Sequence, residues 1–119
     1  MTRAAVYRMT IEQGATYDQT FLFKNKETGE PLDFTGYASR MQMRTAYDAE
    51  YPTISLDEGD GMTTGGVAGT IRVQMTPAQT AAIAAGEYVY DVEIYSYEDA
   101  DVQRMLQGVS IVTPEATRP

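Results

Sequence analysis

Four stretches of this chain alternate apolar and polar residues with a period of two, and nothing else in the sequence limits the fold as strongly. A strand turns successive side chains to opposite faces, so strict alternation predicts a sheet with one buried face. In residues 37–44, Tyr37, Ser39, Met41 and Met43 share one face, and Ala38, Arg40, Gln42 and Arg44 share the other. Residues 70–75 set Ile71, Val73 and Met75 against Thr70, Arg72 and Gln74. Residues 87–96 place Tyr88, Tyr90, Val92 and Ile94 inward, with Glu87, Asp91 and Glu93 mostly outward. Residues 102–112 continue the pattern, and Gly108 interrupts it as a candidate bulge.

Residues 4–12 and 16–24 read as two further strands around Gly14, and a weaker strand falls at 53–57. Polar, Gly-dense turns separate these runs: 25–31, 33–36, 57–61, 64–69 and the acidic tip 98–101. The segments 57–61 and 64–69 flank one very short strand. Turn signals at this rhythm predict a single Ig-like β-sandwich of about seven antiparallel strands over residues 1–119, with extended N- and C-terminal segments. One helix is expected near residues 77–85. Thr76 is placed to cap it, Pro77 stands at its first position, and Gln79 closes a capping box. Gly86 would end it as a left-handed cap, and Ala81, Ala82, Ile83 and Ala85 would close one open end of the sandwich.

Composition then removes whole classes of chemistry. Cys, His and Trp are absent, which excludes disulfides, thiolate and imidazole metal ligands, thiol nucleophiles and a Ser-His-Asp triad. The 9 Lys+Arg against 17 Asp+Glu leave a net charge of −8, unsuited to a nucleic-acid backbone. No apolar run approaches the ~20 residues of a membrane span, and the start, Met1 to Arg8, has no apolar stretch of a signal peptide. A soluble product made in a cytoplasm is expected, binding neither nucleic acid nor membrane.

Carboxylates are the remaining catalytic currency. Asp91 and Glu93 lie two apart on one strand, so they share a face, and a glycosidase uses such a pair across a sugar cleft. A solvated polar strand face explains them more simply, and no catalytic residue, cofactor site or metal site is assigned. Asp57, Glu58 and Asp60, or Glu98, Asp99 and Asp101, could supply calcium oxygens, but neither group has EF-hand spacing. Gly65 to Gly69 lacks the Lys-Ser/Thr of a phosphate loop and precedes a strand. The tyrosines carry more weight. Tyr95 and Tyr97 fall near a hairpin tip on a polar face, and Tyr47 and Tyr51 fall in a loop. They read either as partner contacts, which bury area at low entropic cost, or as amphipathic cover for the rim of the sandwich. Arg40 and Arg44 either meet a partner's carboxylates or pair with this chain's own excess acid.

The order Ile11 to Tyr17, Asp33 to Tyr37 and Arg40 to Arg44 resembles a group of small tailed-phage virion proteins. So do Gly69 to Ile71, Met75 to Thr80, Ala85 to Glu93, Arg104 to Gly108 and Val112 to Glu115. The pattern is also loosely similar to the N-terminal β-sandwich domain of siphophage upper-baseplate proteins, which anchors receptor-binding proteins to the tail. The likeness spans nearly the whole chain and consists of turns, caps and core alternation. It implies a non-enzymatic virion protein, present in multiple symmetric copies and joining tail or baseplate to fibre proteins. A capsid decoration protein is the alternative, and a carbohydrate-binding or carboxylate-dependent hydrolytic module using Asp91 and Glu93 is the third reading.

Overall fold

The alternation is realised strand by strand. A computed structural model describes residues 4–118, the side chain of Asp99 excepted, so Met1, Thr2, Arg3 and Pro119 of the expected terminal segments lie outside the described residues. Strand β1 spans Ala5–Val6, β2 Met9–Glu12, β3 Tyr17–Leu22, β4 Tyr37–Arg44 and β5 Ile54–Glu58. Strand β6 spans Gly61–Thr64, β7 Thr70–Met75, β8 Gly86–Ser96 and β9 Val102–Thr113, with the helix α1 at Pro77–Ala81 between β7 and β8. Every residue assigned to the inner face of β4, β7 and β8 is buried except Tyr37, which is half-buried.

The sheet is mixed and has nine described strands, which corrects the expectation of about seven antiparallel ones. Its order is β1-β9-β8-β4-β5-β6-β7-β3, with β2 also on β9. Both β1 and β2 run parallel to β9, and β5 runs parallel to β6. Side chains alternate identically in parallel and antiparallel strands, so the period of two carries no direction. The sheet curls until its inner face closes on itself. One buried cluster takes Met9 and Ile11 from one end of the strand order and Ile71, Val73 and Met75 from the other. The rings of Tyr7 and Phe21, also from opposite ends, meet edge-to-face at 5.1 Å between centroids.

The sharp corner between β5 and β6 is held by one carboxylate. Glu58 Oε1 accepts from the Ser39 backbone N–H at 2.9 Å and lies 2.7 Å from Thr64 Oγ1, while Oε2 accepts from the Thr64 N–H at 3.0 Å. These bonds give the buried Ser39 of β4 its partners. Charge-assisted bonds of this kind are stronger than neutral ones.

Gly108 is not the bulge. The register between β8 and β9 shifts between Val92 and Glu93, which pair with Leu106 and Arg104, so Met105 is the extra residue. Two consecutive side chains, Met105 and Leu106, therefore both turn inward. Gly108 instead makes room for a neighbouring backbone. Its φ is 153°, and a Cβ there would overlap the Tyr7 carbonyl. The Tyr7 N–H donates to Gln107 O at 3.0 Å, and the Tyr90 hydroxyl donates to Tyr7 O at 2.6 Å. The N-terminal strand thus breaks into β1 and β2 at the point where Gly108 admits its backbone.

The helix begins as expected and ends early. Gln79 N–H donates to Thr76 Oγ1 at 3.1 Å and Thr76 N–H to Gln79 Oε1 at 2.8 Å, completing the capping box. Its C-cap is Ala82, and Gly86 opens β8. Of the four residues expected to close the end of the sandwich, Ile83 is buried and Ala81, Ala82 and Ala85 are exposed. Within the helix Thr80 alone is buried, which is too little area to hold a longer helix down.

Two expected results follow from the fold. Ser110 is fully buried, and its Oγ has no hydrogen-bond partner among the described residues. Removing an unsatisfied buried hydroxyl is cheap, so Ser110→Ala should leave stability unchanged or raise it by up to about 1 kcal/mol in urea unfolding. A loss of that size would mean the hydroxyl is bonded. Second, Arg72 holds Asp18 through Nε at 2.9 Å and Nη2 at 2.7 Å, bridging β7 and β3. The Arg72 hydrogen bonds lower the Asp18 pKa. A carboxylate whose folded pKa lies below its unfolded value stabilises above the unfolded value, and that contribution disappears as pH falls through the folded one. The small deficit of Asp18→Asn at neutral pH should close below the ordinary aspartate range, and it should shrink in salt because the pair is partly exposed. A deficit independent of pH would contradict this.

Candidate functional site

The outer face of β5, β4 and β8 carries what the inner face does not: charge. Backbone pairing puts Arg40 opposite Asp57 on one side and Glu93 on the other, and puts Gln42 between Ser55 and Asp91. Arg44 pairs with Val89 at the end of the same ladder. Together with Tyr47, from the connection between β4 and β5, these side chains line a groove of about 410 Å³. Its floor is completed at Met41, Leu56 and Tyr90, which are buried in the core. The volume falls within the range of small-molecule sites.

Most of the charges meet an opposite partner across the strands. Arg40 Nε lies 3.0 Å from Glu93 Oε1, and the same guanidinium sits 4.6 Å above the Tyr95 ring. The Tyr95 hydroxyl donates to Asp57 Oδ1 at 2.6 Å, and chiefly through that bond its pKa is pushed up to about 12. Asp91 Oδ2 lies 3.5 Å from Arg104 Nε. Burial raises the Asp91 pKa, Glu93 adds to the rise, and Arg104, Arg44 and Arg40 oppose it. Arg44 differs from the others. It donates to Ala49 O at 2.8 Å and to Gln42 Oε1 at 2.7 Å, and no carboxylate is within ion-pair reach among the described residues.

Of the six residues expected to meet a partner, Arg40, Arg44 and Tyr47 line this groove, and Tyr95 stacks against Arg40 at its edge. Tyr51 shares the 45–53 connection but is not a lining residue, and it is 75% exposed. Tyr97 stands apart in the turn between β8 and β9, 89% exposed, whereas Tyr95 is half-buried. The two do not form one uniform patch. Gln42 belongs to the groove and was legible, since it lies between Arg40 and Arg44 on the outward face. Ser55 and Val89 were not, because only strand pairing brings them there.

Both members of the Asp91–Glu93 pair are on the groove wall, each beside an arginine. At Asp91 the arginines favour the charged form, but burial outweighs them and the pKa is raised. Among the acidic loops, Glu58 is engaged by Ser39 and Thr64, and Asp57 by Tyr95 and the Glu58 N–H. The side chain of Asp99, in the second loop, lies outside the described residues, and among those described no three acidic side chains gather as a metal would need.

A scan against protein-family models finds no match, and a search of curated proteins finds none either.

Proposed function

We propose that this chain is a non-enzymatic structural protein of a tailed-phage virion, an adaptor that joins tail or baseplate to fibre or receptor-binding proteins. The observation that carries the docking part of this reading is the exposure of three tyrosines, Tyr47 at 67%, Tyr51 at 75% and Tyr97 at 89%. Large amphipathic rings held out into solvent bury much area at little entropic cost when a partner arrives. Arg40, which lines the groove with Tyr47, costs little to cover because it is already matched to Glu93. The assignment to a virion rests on the resemblance of the residue pattern to small tailed-phage virion proteins. In this reading the curled sheet acts as a two-layered, Ig-like sandwich, β9-β8-β4-β5 facing β6-β7-β3, and particle symmetry multiplies weak contacts through avidity. A position on the capsid as a decoration protein would use the same surface.

Particles purified from a lysate of the host test the proposal directly. The chain should be found in them at stoichiometric amount. A Tyr51→Ala/Tyr97→Ala variant, which keeps its fold because both rings are exposed, should be incorporated at least about tenfold less. Absence of the chain from purified particles would overturn the reading.

A further inference from the structure

We propose that the groove over β5, β4 and β8 binds a neutral saccharide chain, with Tyr47 packed against a sugar ring and Asp91, Gln42 and Arg44 paired with its hydroxyls. The proposal stands independently of the virion reading, since it concerns the chemistry of the groove and not where the chain resides.

Charge narrows the ligand first. The lining holds two cations, Arg40 and Arg44, against three carboxylates, Asp57, Asp91 and Glu93, in a chain of net charge −8. An anion such as a phosphate, a uronate or an acidic peptide would enter against that field. A cation would find Glu93 and Asp57 already held, by Arg40 and Tyr95, and Asp91 in the field of Arg104, Arg44 and Arg40. A purely apolar ligand would strand the polar side chains of the lining without water. What fits is a neutral ligand dense in groups that both donate and accept.

The unspent hydrogen-bonding capacity matches such a ligand. Asp91 has one ion pair among the described residues, with Arg104 at the long distance of 3.5 Å, and partial burial raises its pKa against the pull of Arg104, Arg44 and Arg40. It can accept from sugar hydroxyls. Arg44 spends one N–H on Ala49 O and one on Gln42 Oε1, and these fix its plane while leaving three of its five donors. Gln42 Nε2 makes only a long 3.4 Å contact, to Ser55 Oγ. Donors and an acceptor thus lie side by side across one pair of strands, Gln42 directly opposite Asp91. Tyr47 at the rim is 67% exposed and supplies the flat apolar face that C–H groups of a sugar ring require.

A polypeptide fits less well. Peptides that dock on sheets usually add a strand to an open edge, but the groove lies on the face of the ladder, and β4 and β8 at its centre have neighbours on both sides. The backbone of β4 is paired on both sides, so the polar groups the groove offers are those of its side chains, which favours a ligand with hydroxyls around its whole ring.

The test is an amide chemical-shift titration of the full chain, ¹⁵N-labelled, with maltohexaose, cellohexaose and chitohexaose in turn. Each is raised to about 10 mM, where a site of millimolar Kd fills. At least one of the three should shift amides of β4, β5, β8 and the 44–49 segment, and leave those around Tyr97 unmoved. Tyr47→Ala and Asp91→Asn should each weaken that binding about tenfold or more without altering the rest of the spectrum. Tyr97→Ala should bind as the parent does. No groove shifts with any of the three sugars would overturn the proposal, and so would equal shifts from a neutral Gly-Ser peptide of similar length.

Discussion

A Gly108→Val substitution is expected to destabilise the fold by about 3 kcal/mol and to release the N-terminal strand from β9. Two effects combine at this position. The backbone has a φ of 153°, which a branched side chain adopts only under strain of about 1–3 kcal/mol. Its Cβ would also overlap the Tyr7 carbonyl, a backbone atom that cannot swing aside without breaking the Tyr7 N–H bond to Gln107. Against a total stability on the order of 5–15 kcal/mol this is a large fraction, and the melting temperature should fall by roughly 10 °C. Gly29→Ala is the control, since Gly29 also has a positive φ, 75°, but nothing lies within 4 Å of its added Cβ. It should cost about 1 kcal/mol. Hydrogen exchange should show residues 5–12 opening first in the Gly108 variant. Equal losses in the two variants would mean that close approach to Tyr7 contributes nothing.

The second large effect is expected at Tyr90, the largest of the fully buried side chains, at 1% exposure. Its ring sits in the closed interior and its hydroxyl holds Tyr7 O at 2.6 Å, so it joins β8 to the N-terminal segment 83 residues away. Tyr90→Ala should cost about 3–5 kcal/mol, as deletion of a buried aromatic does. Tyr90→Phe keeps the volume and loses the hydrogen bond, leaving the Tyr7 carbonyl short of a donor, at about 1 kcal/mol. Tyr47→Ala should stay within about 0.5 kcal/mol, because that ring faces solvent. Urea unfolding with a common slope measures all three. A Tyr90→Ala cost near that of Tyr47→Ala would contradict the curled, closed core.

These residues also show how far the sequence could be read. Met41, Met43, Tyr88, Tyr90, Val92 and Ile94 were legible as core because alternation is a property of the chain itself and survives into any sheet. The Thr76 capping box was legible for the same reason, as its partners are three residues apart. What stayed hidden depends on contacts between distant residues. Gly108 stood out as an interruption, but its purpose is set by Tyr7, which it meets only when β1 and β9 pair in parallel. The bulge fell at Met105, where two successive apolar side chains were the available signal. Arg40 and Arg44 were visible as outward cations. That Arg40 would be matched by Glu93, and that Arg44 would have no carboxylate within reach among the described residues, depended on which strand lay beside β4. The alanines after Thr80 suggested a longer helix, and exposure of Ala81, Ala82 and Ala85 shows that composition without a packing face does not extend one.

In the function proposed here, the chain docks on a larger particle through exposed tyrosines carried on a rigid curled sheet. Immunogold labelling of phage particles from the host lysate, with an antibody raised against this chain, puts that function to the proof. Gold is expected at the tail tip or the base of the fibres. Gold spread over the head would place the protein on the capsid instead, and particles with no label at all would contradict docking on a virion.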